Sequence, residues 1–260
     1  MRVLCVGDVF GKVGRKAVAQ LLPGLIDRQT LDLVVVNGEN AAGGVGLTVE
    51  TVRDLLAQPV DVLTSGNHIW KHKEILPLLG KEPRLLRPLN YPVGTPGRGS
   101  GVFETAGGVP VGVVNLEGRI FMEPLLSPFD VADQAIAELN QRTRIILVEI
   151  HAEATSEKRA LGWHLAGRAS VVYGTHTHVP TADEEVLEGG TGYITDLGMT
   201  GPYDSVIGMR KEEVLHRFRA QRPAPFVAAT GDVRLCGAIF DVDPETGRCT
   251  AVERVCERLP

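Results

Sequence analysis

The sequence predicts an α/β protein made of two mixed β-sheets packed face to face, with helices outside. Three observations predict it. Short β-branched runs alternate with helix-like segments, the pattern of βαβ units and a mainly parallel sheet. The runs "VLCV", "LVVV", "VDVLTS", "RIILVEI" and "SVVYG" are nearly continuous in apolar residues, as strands covered on both faces are. Hairpin patterns are added to that parallel core.

In chain order, "RVLCVGD" reads as a strand and residues 14–28 as a helix; "LDLVVVNGE" is a strand followed by a helix near 48–57. "VDVLTSGN" is a third strand, with a helix near 70–79. Between 81 and 117 a Pro/Gly-rich loop, "RPLNYPVGTPGRGSG", leads into a hairpin turning at "GG". "RIILVEI" and "SVVYG" are further strands, and "VRLCGAIFDVDPETGRCTAVERV" is a second hairpin turning at "DPETG". Trp70 and Trp163 fall in helix-like segments and are expected in the core. With no linker, repeat or low-complexity tract, residues 1–260 are expected to form a single domain.

Composition sets the class of partner. With 260 residues and 43% apolar content, the chain can build a large core. A formal net charge of −5 argues against the broad basic face that a long nucleic acid requires. None of the four cysteines forms a CxxC pair, and Cys5 reads as a small buried hydrophobe, which points to a reducing compartment. No apolar run approaches the ~20 residues that cross a bilayer, and no signal-peptide pattern stands at the start, so a soluble, cytoplasmic protein is expected.

In open α/β sheets ligands bind at the carboxyl ends of the strands. The residues just past each apolar run are Asp8, then Glu39 and Asn40, then Asn67 and His68, then His151, then His176 and His178. Taken singly, each has a plain structural reading. Asp8 can cap a helix, "NGEN" can be a turn, His151 can be a satisfied core histidine, and "HTH" can sit at an interface. Five strand ends each delivering a ligand type outweigh capping alone. Carboxylate, amide oxygen and imidazole together suit first-row metals such as Mn, Fe, Co or Zn. The donors are too many for one tetrahedral ion. Two metals bridged by a carboxylate is the economical arrangement, and such pairs serve displacement at phosphorus. In an extended strand His176 and His178 would point to one face, because side chains alternate.

The blocks "GDVFG", "NGEN", "SGNHIW", "EIHAEATSEK" and "GTHTHVPTAD" together resemble the calcineurin-like metallophosphoesterases. With "RPLNYP" and "TDLGMTGPYDSVIG", the chain resembles the bacterial YmdB-like branch over nearly its whole length. The resemblance implies a four-layer αββα sandwich and a dinuclear metal centre. It places Asp8 and His178 on the first metal, Glu39 as the bridge, and Asn67, His151 and His176 on the second. Two departures stand out: Phe10 replaces the histidine of D-x-H, and the bridge is glutamate rather than aspartate. Asn40 is the expected substitute donor, and an amide oxygen in place of a nitrogen favours Fe or Mn over Zn or Co. His68 is assigned beside the scissile phosphate as general acid, a job suited to imidazole.

The expected reaction is therefore metal-dependent phosphodiester hydrolysis through a metal-activated hydroxide. The resemblance points to 2′,3′- or 3′,5′-cyclic nucleotides as small nucleotide substrates, and to a homo-oligomer. A phosphomonoesterase or RNA-end nuclease with the same site, and a low-turnover nucleotide-binding regulator, are the alternatives. "HAEATSEK" puts Glu153, Ser156, Glu157 and Lys158 at a helix start, read as capping or as a phosphate contact. The loops carrying Tyr91 and Thr200, Tyr203 and Asp204 are expected as substrate walls, with the tyrosines available to stack on a base.

Overall fold

The computed structural model describes residues 1–260. In chain order the elements of its first half are β1 (Arg2–Val6), α1 (Gly11–Gln29), β2 (Leu33–Asn37), α2 (Val49–Leu56), β3 (Val62–Thr64), a 3₁₀ turn (Lys73–Ile75) and α3 (Leu76–Leu79). Then come β4 (Ser100–Glu104), β5 (Pro110–Glu117), α4 (Pro128–Leu139), β6 (Ile146–His151), α5 (Thr155–Leu165) and β7 (Val171–Thr175). The chain closes with β8 (Glu185–Leu187), β9 (Thr191–Ile194), β10 (Gly201–Pro202), α6 (Lys211–Ala220), β11 (Val233–Val242) and β12 (Cys249–Arg258).

Two six-stranded mixed sheets form. In the first, β1, β2 and β3 are parallel, and the β11–β12 hairpin adds antiparallel beside β1. In the second, β5, β6, β7 and β9 are parallel, with β4 and β8 antiparallel at the edges. Alternation along each strand builds the layers. Val3 and Cys5 of β1 join Leu147, Val171 and Tyr173 of the second sheet in one buried cluster. Leu4 and Val6 point the other way, packing with Val18, Leu22 and Leu25 of α1. On the outer face of the second sheet, Val148 and Ile150 meet Ile136 of α4 and Leu161 of α5. Helix, sheet, sheet, helix: this is the expected αββα sandwich, and no helix is long and apolar enough to cross a membrane.

Two expectations change here. The helix near 70–79 is broken into a 3₁₀ turn and a short α3 with Pro77 in its first turn, because proline has no N–H to continue the ladder across that junction. Trp163 is 52% exposed rather than in the core. The buried face of α5 is formed by Glu157, Lys158, Leu161, Gly162 and Leu165, which turns Trp163 outward under the Arg159 guanidinium.

Candidate metal centre

Parallel strands bring their carboxyl ends to one rim, and the two sheets share that rim. Asp8 follows β1, Glu39 and Asn40 follow β2, Asn67 and His68 follow β3, His151 ends β6, and His176 and His178 follow β7. All eight converge there. Asp8, Glu39, Asn40, His151 and His178 are buried, and the side chain of His68 is 38% exposed.

The centre of the cluster is Nε2 of His151. It lies 3.1 Å from Glu39 Oε1, 3.2 Å from Asn67 Oδ1 and 3.0 Å from His176 Nδ1. Donor atoms of Glu39, His151 and His176 all fall within 4.8 Å of one another. Asp8 flanks this group, with Oδ1 3.8 Å from His151 Nδ1 and Oδ2 accepting from the His176 amide at 3.1 Å.

The outward nitrogen of each histidine decides what the inward one presents. The Thr175 hydroxyl donates to Glu149 at 2.8 Å, so its oxygen accepts from His151 Nδ1 at 2.9 Å. His178 Nδ1 donates to the Ile207 carbonyl at 2.9 Å, leaving Nε2 to accept from Asn40 Nδ2 at 2.9 Å. His176 Nε2 lies 3.2 Å from the Glu153 carboxylate. Each ring is therefore held through one nitrogen by an outer partner with its other nitrogen facing the cluster, the arrangement that outer partners impose on metal-ligating histidines. Asp8 Oδ1 and Asn40 Oδ1 are buried without hydrogen bonds, and Glu39 Oε1 has only imidazole nitrogens beside it, His68 Nδ1 at 2.7 Å and His151 Nε2 at 3.1 Å. Buried, unsatisfied electron pairs crowded together are unfavourable unless a cation lies among them. The donor set fits such a cation.

Charge balance says the same. Burial pushes the Glu39 carboxyl up, but His151 and His68 outweigh it and leave Glu39 ionised, well below the usual carboxylate range. Burial disfavours the His151 imidazolium, yet Glu39, Asp8 and Glu149 raise it to about 9. Burial and His151 push His176 down to about 3. Burial also raises Asp8, against the pull of His178 and His151. Ionised Glu39 thus draws positive charge to this spot, a proton on His151 or a cation in its place.

The expected extended geometry of "HTH" does not hold. β7 pairing ends at Thr175, and His176 and His178 have φ of 95° and 65°, in the left-handed region. Both rings still reach the cluster, because the Asp196 carboxylate pins the intervening residue: it accepts from the Thr177 amide at 3.2 Å and its hydroxyl at 2.7 Å. Buried Lys158 completes the clamp, donating to Asp196 at 2.7 Å and to the Thr175 carbonyl at 2.9 Å.

A cavity of about 830 Å³ opens onto Glu39, Asn40, His68, His176 and His178. The four residues expected as substrate walls do not line it. Tyr91 donates to Glu117 at 3.1 Å and packs edge-on against Trp70. Thr200 is buried, bonding the Cys236 backbone. Tyr203 donates to the Met199 carbonyl at 3.0 Å with Arg234 over its ring, and Asp204 pairs with Lys211. Each is taken up by local packing or pairing. At the start of α5 only Glu153 faces the cavity; Glu157 accepts from the Arg119 and Ile120 amides instead of capping. Asp8 does not cap α1 either, whose N-cap Phe10 makes no side-chain bond.

Sequence reasoning missed several contributors. Phe10 is buried, its ring centroid 5.8 Å from that of His178, so the position of the lost histidine is a cavity wall. Gly66 is needed because a Cβ there would overlap Glu39 Oε2 and the His151 ring. The Lys158–Asp196 pair gave no local signal, since its partners are far apart in the chain. Nor did α6 and the segment after it, which form the opposite cavity wall through Arg217, Phe218 and Phe226.

The sequence pattern of the YmdB-like protein family matches residues 4–255. The chain is 47% identical over 255 residues to a Bacillus subtilis (strain 168) protein named 2′,3′-cyclic-nucleotide 2′-phosphodiesterase, covering 98% of this chain and 96% of that one. A crystal structure of a hypothetical protein from Thermus thermophilus superposes with a TM-score of 0.93 at 48% identity, covering all of both chains. A crystal structure described as a novel phosphatase from Mycoplasma pneumoniae gives 0.92 at 34% identity, covering 99% of this chain and 93% of that one.

Proposed function

The chain belongs to the YmdB-like protein family, and from that premise we propose that it is a metal-dependent phosphodiesterase acting on small diesters, foremost 2′,3′-cyclic nucleotides. The observation that carries this reading is the inward-facing nitrogens of His151, His176 and His178 beside ionised Glu39 and the orphaned oxygens of Asp8 and Asn40. Glu39, Asn67, His151 and His176 would hold one cation; Asp8, Asn40 and His178 would hold a second, with Glu39 shared between them. Carboxylate, amide oxygen and imidazole donors without a thiolate favour Fe or Mn. When bound, the cations supply Lewis acidity toward phosphoryl oxygen and toward water.

The chain's own groups do the rest. Glu39 holds His68 in place, accepting from its amide at 3.3 Å, while the ring lines the cavity where a leaving oxygen would emerge. His68 is the group placed to give that oxygen a proton. Phe10 and Ile207 make part of the cavity wall apolar.

The test is hydrolysis of 2′,3′- and 3′,5′-cyclic nucleotides, p-nitrophenyl phosphate and bis-p-nitrophenyl phosphate after chelation and after readdition of Mn²⁺ or Fe²⁺, with Glu39→Gln as control. Diester turnover that vanishes on chelation, returns with metal and is lost in Glu39→Gln is expected. Turnover indifferent to chelation, or confined to the monoester, would refute the proposal. Stoichiometric Zn alone, in protein purified without added metal, would refute the metal preference.

A further inference from the structure

Opposite the donor cluster, the cavity is walled by α6 and the segment that follows it. That wall has an unusual composition for a surface helix. Phe218 is 78% exposed and Phe226 58% exposed, yet both line the cavity. The Arg217 guanidinium lies 4.0 Å from the Phe226 ring centroid, so a cation–aromatic contact holds that ring in place. Val214 is the one buried residue of α6, so the helix is docked lightly and its aromatic side faces open space. Arg222 adds a second cation to the same wall.

We infer that this wall is the nucleobase-recognition element of the enzyme: Phe218, Phe226 and the Arg217 plane form a stacking platform for the base of a nucleotide whose phosphate sits at the donor cluster. The inference rests on the phosphodiesterase reading above and names the half of the substrate that reading leaves open. Three features select a base. The platform and the donors share one continuous cavity, whose volume lies in the range that encloses a small ligand. Aromatic faces and guanidinium planes are the groups on which bases stack. The donor end already accounts for the phosphate, leaving an apolar, flat-faced group for the far end. Stacking of this kind tolerates any base, so the wall should favour nucleotides over base-free sugar phosphates without choosing strongly among the bases.

The test separates base recognition from phosphate chemistry. Binding of 3′-AMP and of ribose 3-phosphate to the metal-loaded protein is measured by titration calorimetry for wild type, Phe218→Ala and Phe226→Ala. Hydrolysis of 2′,3′-cyclic AMP and base-free ribose 2,3-cyclic phosphate is measured in parallel. Wild type is expected to prefer the nucleotide by roughly tenfold or more, the effect of one stacked base. Each variant should lose most of that preference through KM rather than kcat, while affinity for the base-free compound moves less than twofold. Equal affinity of wild type for the two compounds overturns the inference. So does an equal loss on both compounds, as would follow if these phenylalanines cover a subunit contact; sedimentation of the variants would then show dissociation. Absence of any hydrolysis by wild type would sink the phosphodiesterase reading and leave the binding comparison to decide the wall.

Discussion

Replacing Lys158 with methionine isolates the clamp behind the two strand-exit histidines. Lys158 and Asp196 have side chains 1% and 0% exposed, with Nζ 2.7 Å from Oδ2. Asp196 also accepts from Gly198 N at 2.8 Å and from Thr177, so its charge is fixed in place whether or not the lysine is present. Methionine fills nearly the same volume, which leaves the uncompensated buried carboxylate as the main cost. Breaking a buried pair from one side costs about 3–5 kcal/mol. For a chain of this length that corresponds to a fall in melting temperature on the order of 10 °C. The clamp also holds His176 and His178 in left-handed backbone, which costs about 1–3 kcal/mol per residue when unsupported. Metal affinity should therefore fall together with stability. Thermal melts with and without metal, and a double-mutant cycle with Asp196→Asn, measure both. The double variant should recover part of the stability but not the metal affinity, because with the amide oxygen accepting from Thr177 the amide nitrogen replaces the oxygen that accepts from Gly198 N and sets donor against donor. A loss below about 1 kcal/mol in Lys158→Met, or strict additivity in the cycle, would refute the clamp.

Gly66→Ala should abolish metal binding while leaving the far-ultraviolet circular dichroism unchanged, since its Cβ displaces Glu39 and His151 at the core of the cluster; metal analysis of the purified variant decides. His68→Ala should retain its metal and lose about 10²–10⁴-fold in turnover, the usual contribution of a proton donor; loss of metal would show that His68 is a ligand. Glu117 is held up to about 7 by burial, only partly offset by His151 and its bond to Tyr91. A raised carboxyl pKa stabilises the fold below the ordinary value near 4.5, and that stability is lost as pH rises through 7, a difference of roughly 3 kcal/mol. Glu117→Gln should therefore flatten the chelated protein's stability profile between about pH 4.5 and 7; denaturation curves at both ends check it, and an unchanged slope contradicts it.

Much of this site could be read without coordinates. Apolar runs such as "LVVV" and "RIILVEI" are long enough to force buried strands, parallel strands share a direction, and so the residues after them share a rim. That logic assigns Asp8, Glu39, Asn40, Asn67, His68, His151, His176 and His178 to one rim from the sequence alone. It holds because burial and strand direction are properties of short stretches of sequence.

What the tertiary structure alone decided lies beyond the reach of such stretches. Alternation predicts side-chain direction only while ladder pairing continues, and past Thr175 the backbone is set by Asp196, a residue about twenty positions downstream, and by Lys158 upstream. Tyr91 and Tyr203 look like substrate aromatics in sequence, but Glu117 accepts from the first hydroxyl and the second lies between the Met199 carbonyl and Cys236 Sγ. The platform on α6 comes to face the donors only because the chain returns across the rim between β10 and β11. Periodicity encodes which face of an element is buried. Which distant partner it meets there depends on the three-dimensional path of the chain, and that path set the orientation of each ring and the far wall of the cavity.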